Sequence, residues 1–306
     1  MAKVFIDGSA GTTGLRIRER LSERKDIELL ILPEETRKDP AARREMLNNS
    51  DISFLCLPDA AAKEAVSLID NPDTVVIDTS TAHRTAEGWV YGMPELTGLR
   101  EQLTTATRIA NPGCHASGFI ALVRPLVESG IIKRECALSC FSLTGYSGGG
   151  KKMIAEYESE NRSPMLEAPR IYALGQAHKH LSEMKRLCGL TKEPVFSPIV
   201  APFYSGMEVS VSLTKDDISY SLEDIKTAYK DYYRSGLIRY DDNTEDGFIS
   251  AAAFSGRDDM AVAAFGNDDR ITLISRFDNL GKGASGAAIQ NMNIRLGLDE
   301  AEGLIV

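Results

Sequence analysis

Cys114 is the residue of this 306-residue chain best placed for covalent chemistry. It lies in the stretch NPGCHASG, directly before an apolar helical pattern that includes Phe119 and Leu122. At a helix N-terminus the helix dipole stabilises the reactive thiolate. The small residues around Cys114 leave room for a substrate carbonyl, so we interpret Cys114 as a candidate nucleophile. Pro125 falls inside the same pattern and is expected to kink or shorten the helix.

A thiolate nucleophile needs an acid/base partner, and the chain has four histidines: His83, His115, His178 and His180. His115 adjoins Cys114 but would point elsewhere once the helix has begun. His178 and His180 lie two apart in QAHKHLSEM, just before a helix expected near Ser182, and either ring is a candidate. Glu183 lies three residues beyond His180, which favours His180. A surface histidine pair or a weak metal site is the alternative, and we predict no metal.

A glycine-rich turn near the N-terminus predicts a dinucleotide site. GSAGTTG separates the apolar run KVFI from the helical pattern LRIRERL, a context in which backbone N–H groups and the helix dipole hold a pyrophosphate. Ser9 stands where the usual pattern has a glycine, and a turn without ligand is the alternative. The candidate cofactor residues are Gly8, Ser9, Gly11, Thr12, Thr13 and Gly14.

The stretch LPEETRKD, after the second apolar run, bears on the choice of cofactor. Glu34 would suit the ribose hydroxyl of NAD, whereas Arg37 and Lys38 would suit the 2′-phosphate of NADP. We favour NADP because a cationic pair fits a phosphate. A solvated surface turn is the alternative.

Cationic and polar residues beside flexible backbone are candidates for holding an anionic substrate. SGGGKK and DTSTAHR supply most of them, and one asparagine directly precedes the cysteine turn. Each of them, taken alone, also fits an exposed structural role. The candidates are Ser80, Arg84, Asn111, Lys151 and Lys152.

The elements that must position these residues indicate an α/β protein with two domains. Apolar runs without alternation at 3–6, 27–32, 52–57 and 74–78 suit strands covered on both faces, which predicts a Rossmann-type parallel sheet with crossover helices over residues 1–113. Longer strands, several with alternation, follow from 135, so an α+β catalytic and oligomerisation domain is expected over 114–278. Residues 279–306 should form a C-terminal helix that returns to the first domain.

Composition and charge exclude several classes of protein. The net charge of −9 argues against broad binding to nucleic acid or to an anionic membrane. No apolar run approaches the roughly 20 residues of a membrane helix, and the N-terminus enters a strand at once, so the cytoplasm is expected. Five cysteines form neither a disulfide framework nor a zinc pattern. We expect free thiols, with the four other than Cys114 buried and inert.

Six stretches in order resemble N-acetyl-gamma-glutamyl-phosphate reductase, particularly its shorter form, within the aspartate-semialdehyde dehydrogenase-like superfamily. They are GSAGTTG, DTSTAHR, NPGCHASG, SGGGKK, HKHLSE and DNLGKGASGAAIQNMN. The resemblance implies NADPH as cofactor, a role in arginine biosynthesis and a homodimer or homotetramer. It places the nucleophile at Cys114, the histidine pair at His178 and His180, and a cofactor contact at Asn279. Where the family often has HRHxPE, this chain has Ser182 in place of the proline.

The chemistry implied by the resemblance is the reduction of an acyl phosphate through a thioester on Cys114, with release of inorganic phosphate. Two alternatives stay open at the level of sequence. One is an aspartate-semialdehyde dehydrogenase-like reductase of another acyl phosphate. The other is a non-catalytic NADP-binding regulatory protein on the same scaffold.

Overall fold

The computed structural model describes residues 1–306, which divide into two compact units. The first unit holds residues 1–112 and 284–304, and the second holds 113–283 and 305–306. The return to the first unit therefore falls after Gly283, whereas the sequence pattern predicts it after Asp278. The last two residues belong to the second unit, where the backbones of Asp258 and Ile305 are hydrogen bonded, N to O, at 2.7 Å.

A six-stranded parallel sheet forms the first unit, in the order β2-β1-β3-β4-β6-β5. Every residue of β3 and β4 is buried, which explains their unbroken apolar sequences. The strands are β1 (Ala2–Asp7), β2 (Ile27–Leu30), β3 (Ile52–Leu55), β4 (Val75–Asp78), β5 (Val90–Tyr91) and β6 (Arg108–Ala110).

Four helices connect these strands. They are α1 (Thr12–Ser22), α2 (Pro40–Asn49), α3 (Asp59–Ser67) and α4 (Leu99–Thr105). Helix α1 directly follows the glycine turn and buries Ile17 and Leu21 against the sheet. The parallel sheet with helical crossovers confirms the predicted Rossmann-like class.

The second unit is built on a seven-stranded mixed sheet in the order β11-β12-β13-β10-β7-β9-β8. Strand β7 runs antiparallel to β10 and parallel to β9. The strands are β7 (Ser139–Gly145), β8 (Arg170–Ile171), β9 (Val195–Ala201), β10 (Met207–Thr214), β11 (Ile238–Tyr240), β12 (Met260–Asn267) and β13 (Arg270–Phe277). The mixed sheet confirms the expected α+β class of this part.

Four helices belong to the second unit: α5 (Cys114–Glu128), α6 (Gly150–Glu158), α7 (Leu181–Cys188) and α8 (Leu222–Tyr232). Helix α5 packs against β10 and β13. It does not stop at Pro125 but continues to Glu128. Proline cannot donate to the carbonyl four residues earlier, at Ala121, and the Tyr233 hydroxyl donates to that oxygen instead, at 2.7 Å.

The returning segment begins with a π-helical turn at Gly281–Ser285 and continues as α9 (Gly286–Arg295). Ala288, Ile289 and Met292 of α9 lie in the same apolar core as the strands of the parallel sheet. Residues at the chain terminus thus complete the core of the first unit. None of the helices is both long and apolar enough to span a membrane.

Candidate active site

Cys114 is the first residue of α5, with Gly113 as the N-cap. Its side chain is partly buried. The preceding backbone N–H, of Gly113, donates to the Glu183 carboxylate at 2.8 Å, which ties the cysteine turn to α7. A Cβ on Gly283 would lie only 3.0 Å from the Cys114 Cβ, so a larger residue there would crowd the cysteine. Because Cys114 is the first residue of α5, it lies at the positive end of the helix dipole, which favours the thiolate.

A cluster of rings occupies the same unit as Cys114. The centroids of His178 and His180 are 4.7 Å apart, and His115 lies 5.8 Å from His178 and 5.6 Å from His180. His180 is the N-cap of α7, and its backbone N–H donates to Nδ1 of His178 at 3.2 Å. The structure thus brings the two predicted histidines together beside the residue that follows Cys114.

His115 and Tyr172 are the members of this cluster that sequence reasoning missed. His115 is 3 % exposed, its Nδ1 lies 2.6 Å from Ser142 Oγ, and its Nε2 lies 2.7 Å from Tyr172 Oη. Burial, and then the charge of His178, lower the pKa of His115 to about 3, so the ring is neutral at ordinary pH. The alternation of buried and exposed residues along β7 predicts that Ser142 is buried, but it does not identify His115 as its partner.

The other four cysteines are poor nucleophiles. Burial raises the pKa of Cys56 to about 12 and that of Cys136 to about 11. Burial also raises the pKa values of Cys140 and Cys188. Only Cys140 and Cys188 are buried as expected, whereas Cys56 and Cys136 are partly exposed. Their thiolate populations at neutral pH are small, which agrees with the expected lack of reactivity.

Two positions of the glycine turn require glycine. Gly8 has a φ of +89°, and a Cβ there would lie 2.3 Å from the Cys56 carbonyl oxygen. A Cβ on Gly14 would lie 2.5 Å from the Gly8 oxygen, so the turn and α1 pack together only with glycine. At Gly11, the N-cap of α1, the nearest such contact is 3.6 Å, which leaves space at the helix start.

The N-terminus of α1 is suited to an anion. No side chain caps the helix, and no acidic residue lies in its first turn. Its first N–H groups have no partner within the helix, which makes this end of α1 favourable for an anion. Ser9, Thr12 and Thr13 are partly buried around this point, and Gly14 is buried beneath it.

After the end of β2, Glu34 and Arg37, the residues that would suit NAD and NADP respectively, contact each other. Arg37 Nε lies 2.6 Å from Glu34 Oε1, and both side chains are exposed. Lys38 is also exposed. Arg37 is therefore held by a surface ion pair, which contributes at most about 1 kcal/mol.

Three of the five predicted substrate contacts lie in the first unit. The Ser80 hydroxyl donates to Asp78 at 2.8 Å, and Arg84 Nε donates to the Asn111 carbonyl at 3.0 Å. Asn111 is 1 % exposed, and its amide group donates to the Ala284 carbonyl at 3.0 Å. The Asn111 amide thus holds the returning segment, and its role as a phosphate contact stays a prediction.

The remaining predicted contacts lie in the second unit. Lys151 and Lys152 are exposed in the first turn of α6. Asn279 is 2 % exposed, accepts from the Gly206 backbone N–H at 2.9 Å and donates to Ser147 Oγ at 3.0 Å. Asn279 is thus held by internal hydrogen bonds, and the cofactor contact implied by its motif stays a prediction.

Comparison with known proteins defines the class. Residues 3–106 match the model of the semialdehyde dehydrogenase NAD binding domain, and residues 114–279 match that of the semialdehyde dehydrogenase dimerisation domain. Aspartate semialdehyde dehydrogenase II from Vibrio cholerae has the same fold, with a TM-score of 0.73 and 17% identity over 97% of this chain and 99% of that one. Aspartate semialdehyde dehydrogenase with NADP from Candida albicans matches at a TM-score of 0.69 and 15% identity over 97% and 100%. The chain therefore belongs to the semialdehyde dehydrogenase class of oxidoreductases.

Closer relatives narrow this class. An N-acetyl-gamma-glutamyl-phosphate reductase from Nostoc is 45% identical over 99% of both chains. Reductases of the same name from Allorhizobium ampelinum and Brucella suis are 43% and 42% identical over 96% of this chain and 99% of theirs. The chain belongs to the N-acetyl-gamma-glutamyl-phosphate reductase family. Residues 3–106 thus match an NAD binding domain of this class.

Proposed function

We propose that the chain reduces N-acetyl-gamma-glutamyl phosphate to N-acetylglutamate 5-semialdehyde with NADPH, releasing inorganic phosphate, as a step of arginine biosynthesis. The observation that carries this proposal is Cys114 at the first position of α5, beside a cluster of histidine rings. Its support from the comparisons is the 45% identity, over nearly the whole chain, to a reductase of that name.

In the proposed mechanism the Cys114 thiolate attacks the acyl carbonyl carbon, the C–O bond to phosphate breaks, and a thioester remains. This divides one difficult displacement into two easier steps. Backbone N–H groups at the start of α5 stabilise the oxyanion formed in each step. NADPH held at the glycine turn would supply the hydride for reduction of the thioester to a hemithioacetal. His180 or His178 removes the proton from the hemithioacetal oxygen as the C–S bond breaks, which releases the aldehyde and regenerates the Cys114 thiolate.

The cofactor residues proposed for this chain are those of the glycine turn and the end of β2. The N–H groups at the start of α1 would hold the pyrophosphate, since the turn leaves open space only at Gly11. Arg37 and Lys38 would hold the 2′-phosphate. Arg37 must then exchange its contact with Glu34 for the phosphate, a modest cost because the ion pair is exposed.

For the anionic substrate we propose the cationic residues Arg84, Lys151 and Lys152, with Ser80 as a polar neighbour. Lys151 and Lys152 lie at the positive end of α6, where the helix dipole disfavours a cation. An anion bound there would offset this unfavourable interaction between the lysines and the helix dipole. We also propose Asn111 as a substrate contact and Asn279 as a cofactor contact, each held in place by its internal hydrogen bonds.

We also propose a homo-oligomer, either a dimer or a tetramer, assembled in the cytoplasm. One face of the mixed sheet exposes apolar side chains on neighbouring strands: Phe141 is 54% exposed, Ile171 49% and Val195 62%. Leu143 and Ile199, paired between β7 and β9, continue this face. Such an apolar patch is typical of an interface between subunits. The name of the matching model, a dimerisation domain, supports the same proposal.

The substrate assignment is tested by assaying the reverse reaction, phosphate-dependent reduction of NADP by N-acetylglutamate semialdehyde. Aspartate semialdehyde and NAD serve as matched alternatives. We expect rapid turnover with the acetylated substrate and NADP, and none without phosphate. Reaction with aspartate semialdehyde alone would keep the cysteine chemistry but contradict the proposed substrate. No reaction with either would favour a non-catalytic NADP-binding protein.

A further inference from the structure

The loop that follows β4 contains a buried carboxylate–imidazole pair that has no role in the mechanism above. Asp78, the last residue of β4, is fully buried, and its Oδ2 lies 2.6 Å from Nδ1 of His83. The His83 ring stacks on Trp89, with the ring centroids 4.1 Å apart and the planes inclined by 10°. His83 is therefore fixed both at one ring nitrogen and on one ring face.

The Asp78 carboxylate also binds the start of the same loop. One oxygen accepts from the Ser80 backbone N–H at 2.9 Å, and the other accepts from the Ser80 hydroxyl at 2.8 Å. The Ser80 oxygen in turn accepts from the Ala82 backbone N–H at 3.1 Å. An ionised carboxylate only accepts hydrogen bonds, so Nδ1 of His83 carries a proton and donates it to Asp78. His83 thus belongs to the set of donors that satisfies this carboxylate.

Arg84, the residue after His83, is one of the proposed substrate contacts. Its Nε donates to the Asn111 carbonyl at 3.0 Å, and its Nη2 donates to the Thr79 carbonyl at 3.1 Å. These two carbonyls directly follow β6 and β4, which are paired in the parallel sheet. Open α/β sheets bind ligands at the carboxyl ends of their strands. The direction of the Arg84 guanidinium therefore depends on the path of residues 79–83.

Two carboxylates beside this loop compete with any anion for its cation. Asp78 is one, and the other is Asp59 of α3, which accepts from the Thr81 backbone N–H at 2.9 Å and from the Thr81 hydroxyl. A buried carboxylate that loses a donor must find another. Arg84 is the cation nearest to Asp78 in the sequence. Loss of the His83 donor would therefore draw the Arg84 guanidinium toward Asp78.

We propose that His83 and Asp78 are positioning residues that hold the Arg84 guanidinium in place to bind the phosphate group of the substrate, with Trp89 supporting the His83 ring. The proposal rests on the proposed function in taking phosphate as the anion that Arg84 binds. Because His83 satisfies the Asp78 carboxylate, Arg84 is left to pair with the phosphate group.

The experiment is a calorimetric titration with inorganic phosphate, in the presence of saturating NADP so that phosphate does not occupy the start of α1. Arg84→Met should weaken phosphate binding at least about tenfold, the effect of losing a charge-assisted hydrogen bond. His83→Phe keeps a ring against Trp89 but removes the donor, and it should weaken binding about tenfold. The double variant should show no further loss than Arg84→Met, because His83 acts through Arg84.

Two further variants separate the donor role of His83 from a general effect on the loop. His83→Asn should keep phosphate affinity close to that of the wild type, because the side-chain amide can donate to Asp78 in place of Nδ1. Adding Asp78→Asn to His83→Phe should recover much of the lost affinity, since a neutral amide no longer draws Arg84 away. A merely structural role of His83 predicts no such recovery.

Thr74→Val is the matched control. Thr74 is fully buried, directly precedes β4, and its hydroxyl contacts the Leu47 and Ser50 carbonyls at 3.2 and 3.3 Å. The variant removes a buried hydrogen bond at the opposite end of the same strand. We expect it to lower the melting temperature and to keep the wild-type affinity for phosphate.

Kinetics supply a second readout. In the reverse reaction His83→Phe should raise the KM for phosphate about tenfold and leave kcat and the KM for the semialdehyde nearly unchanged, as expected for a residue that affects binding alone. Trp89→Leu, which removes the stacking surface but keeps the loop side chains, should also weaken phosphate binding. It provides an independent test if His83→Phe fails to fold.

Wild-type phosphate affinity in His83→Phe, or an equal loss in Thr74→Val, would overturn the proposal. So would a wild-type protein that binds no phosphate in the titration. The titration needs no turnover, so its outcome is separate from that of the proposed function. Turnover retained by Cys114→Ser would instead contradict the proposed function.

Discussion

At the scale of single residues, Cys114 shows what local sequence can predict. Its place at a helix start follows from NPGC and the apolar pattern after it, and the structure places it at the first position of α5. The direction of His115 could not be predicted in this way. Its partners lie 27 and 57 residues away in the chain, and only the folded sheet brings them to the ring.

Asn111 and Asn279 show what residue type leaves open. Both lie within motifs that resemble a functional site, and in the structure both are buried amides that also bind backbone groups. A binding amide and a structural amide need the same hydrogen-bonding capacity, so residue type does not separate them. The partner of Asn111, the Ala284 carbonyl, is 173 positions away in sequence.

The glycine turn yields a prediction in which two neighbouring glycines behave differently. Gly14→Ala should lower the melting temperature, because its Cβ would lie 2.5 Å from the Gly8 oxygen. Gly11→Ala should leave stability nearly unchanged but weaken NADPH binding at least about tenfold, since a new methyl group would occupy the space proposed for the pyrophosphate. Thermal unfolding and fluorescence titration with NADPH measure the two effects. Wild-type affinity in Gly11→Ala would contradict the assignment of this turn.

At the scale of elements, apolar runs predicted the parallel sheet well, because a strand buried on both faces needs apolar residues throughout. Strand ends were less predictable. The apolar run from 27 to 32 suggests a longer strand than β2, which ends at Leu30 and leaves Ile31 56% exposed. Strand β2 lies at the edge of the sheet, where it has a partner on one side only.

Helix α5 yields a prediction about its internal proline. Tyr233→Phe should lower the free energy of unfolding by about 1–3 kcal/mol, because the buried Ala121 carbonyl loses its donor. Adding Pro125→Ala should recover much of this loss, since alanine has the N–H that proline lacks. Chemical denaturation of the two single variants and the double variant forms the test. Equal losses from Tyr233→Phe with and without the proline would contradict this account of the helix.

At the scale of the whole molecule, the C-terminal stretch shows what only the folded chain reveals. Sequence assigned no role to LDEAEGLIV. In the structure, both oxygens of the Glu300 carboxylate accept from Arg100 at 2.8 and 2.9 Å, and the Glu302 carbonyl accepts from Arg24 at 3.2 Å. These contacts join residues that are 200 and 278 positions apart in the sequence, so no local sequence pattern predicts them.

The exposed sheet face yields a prediction about assembly. The wild-type protein should sediment as a dimer or tetramer, and Phe141→Glu should shift it to a monomer because a charge cannot be buried unpaired between subunits. Phe248→Glu is the matched control, since Phe248 is 77% exposed and lies outside the strands of the sheet. Sedimentation velocity at several concentrations measures this. A monomeric wild type, or equal dissociation in both variants, would contradict the proposed interface.

The central claim, that Cys114 carries the acyl group, is tested most directly by mixing the protein with N-acetyl-gamma-glutamyl phosphate in the absence of NADPH. Mass spectrometry should then show the N-acetylglutamyl group on the Cys114 peptide and on none of the other cysteines, whose pKa values are all raised. Cys114→Ser should show no thioester and lose nearly all turnover while keeping NADPH affinity. An acyl group on another residue, or substantial turnover by Cys114→Ser, would contradict the account.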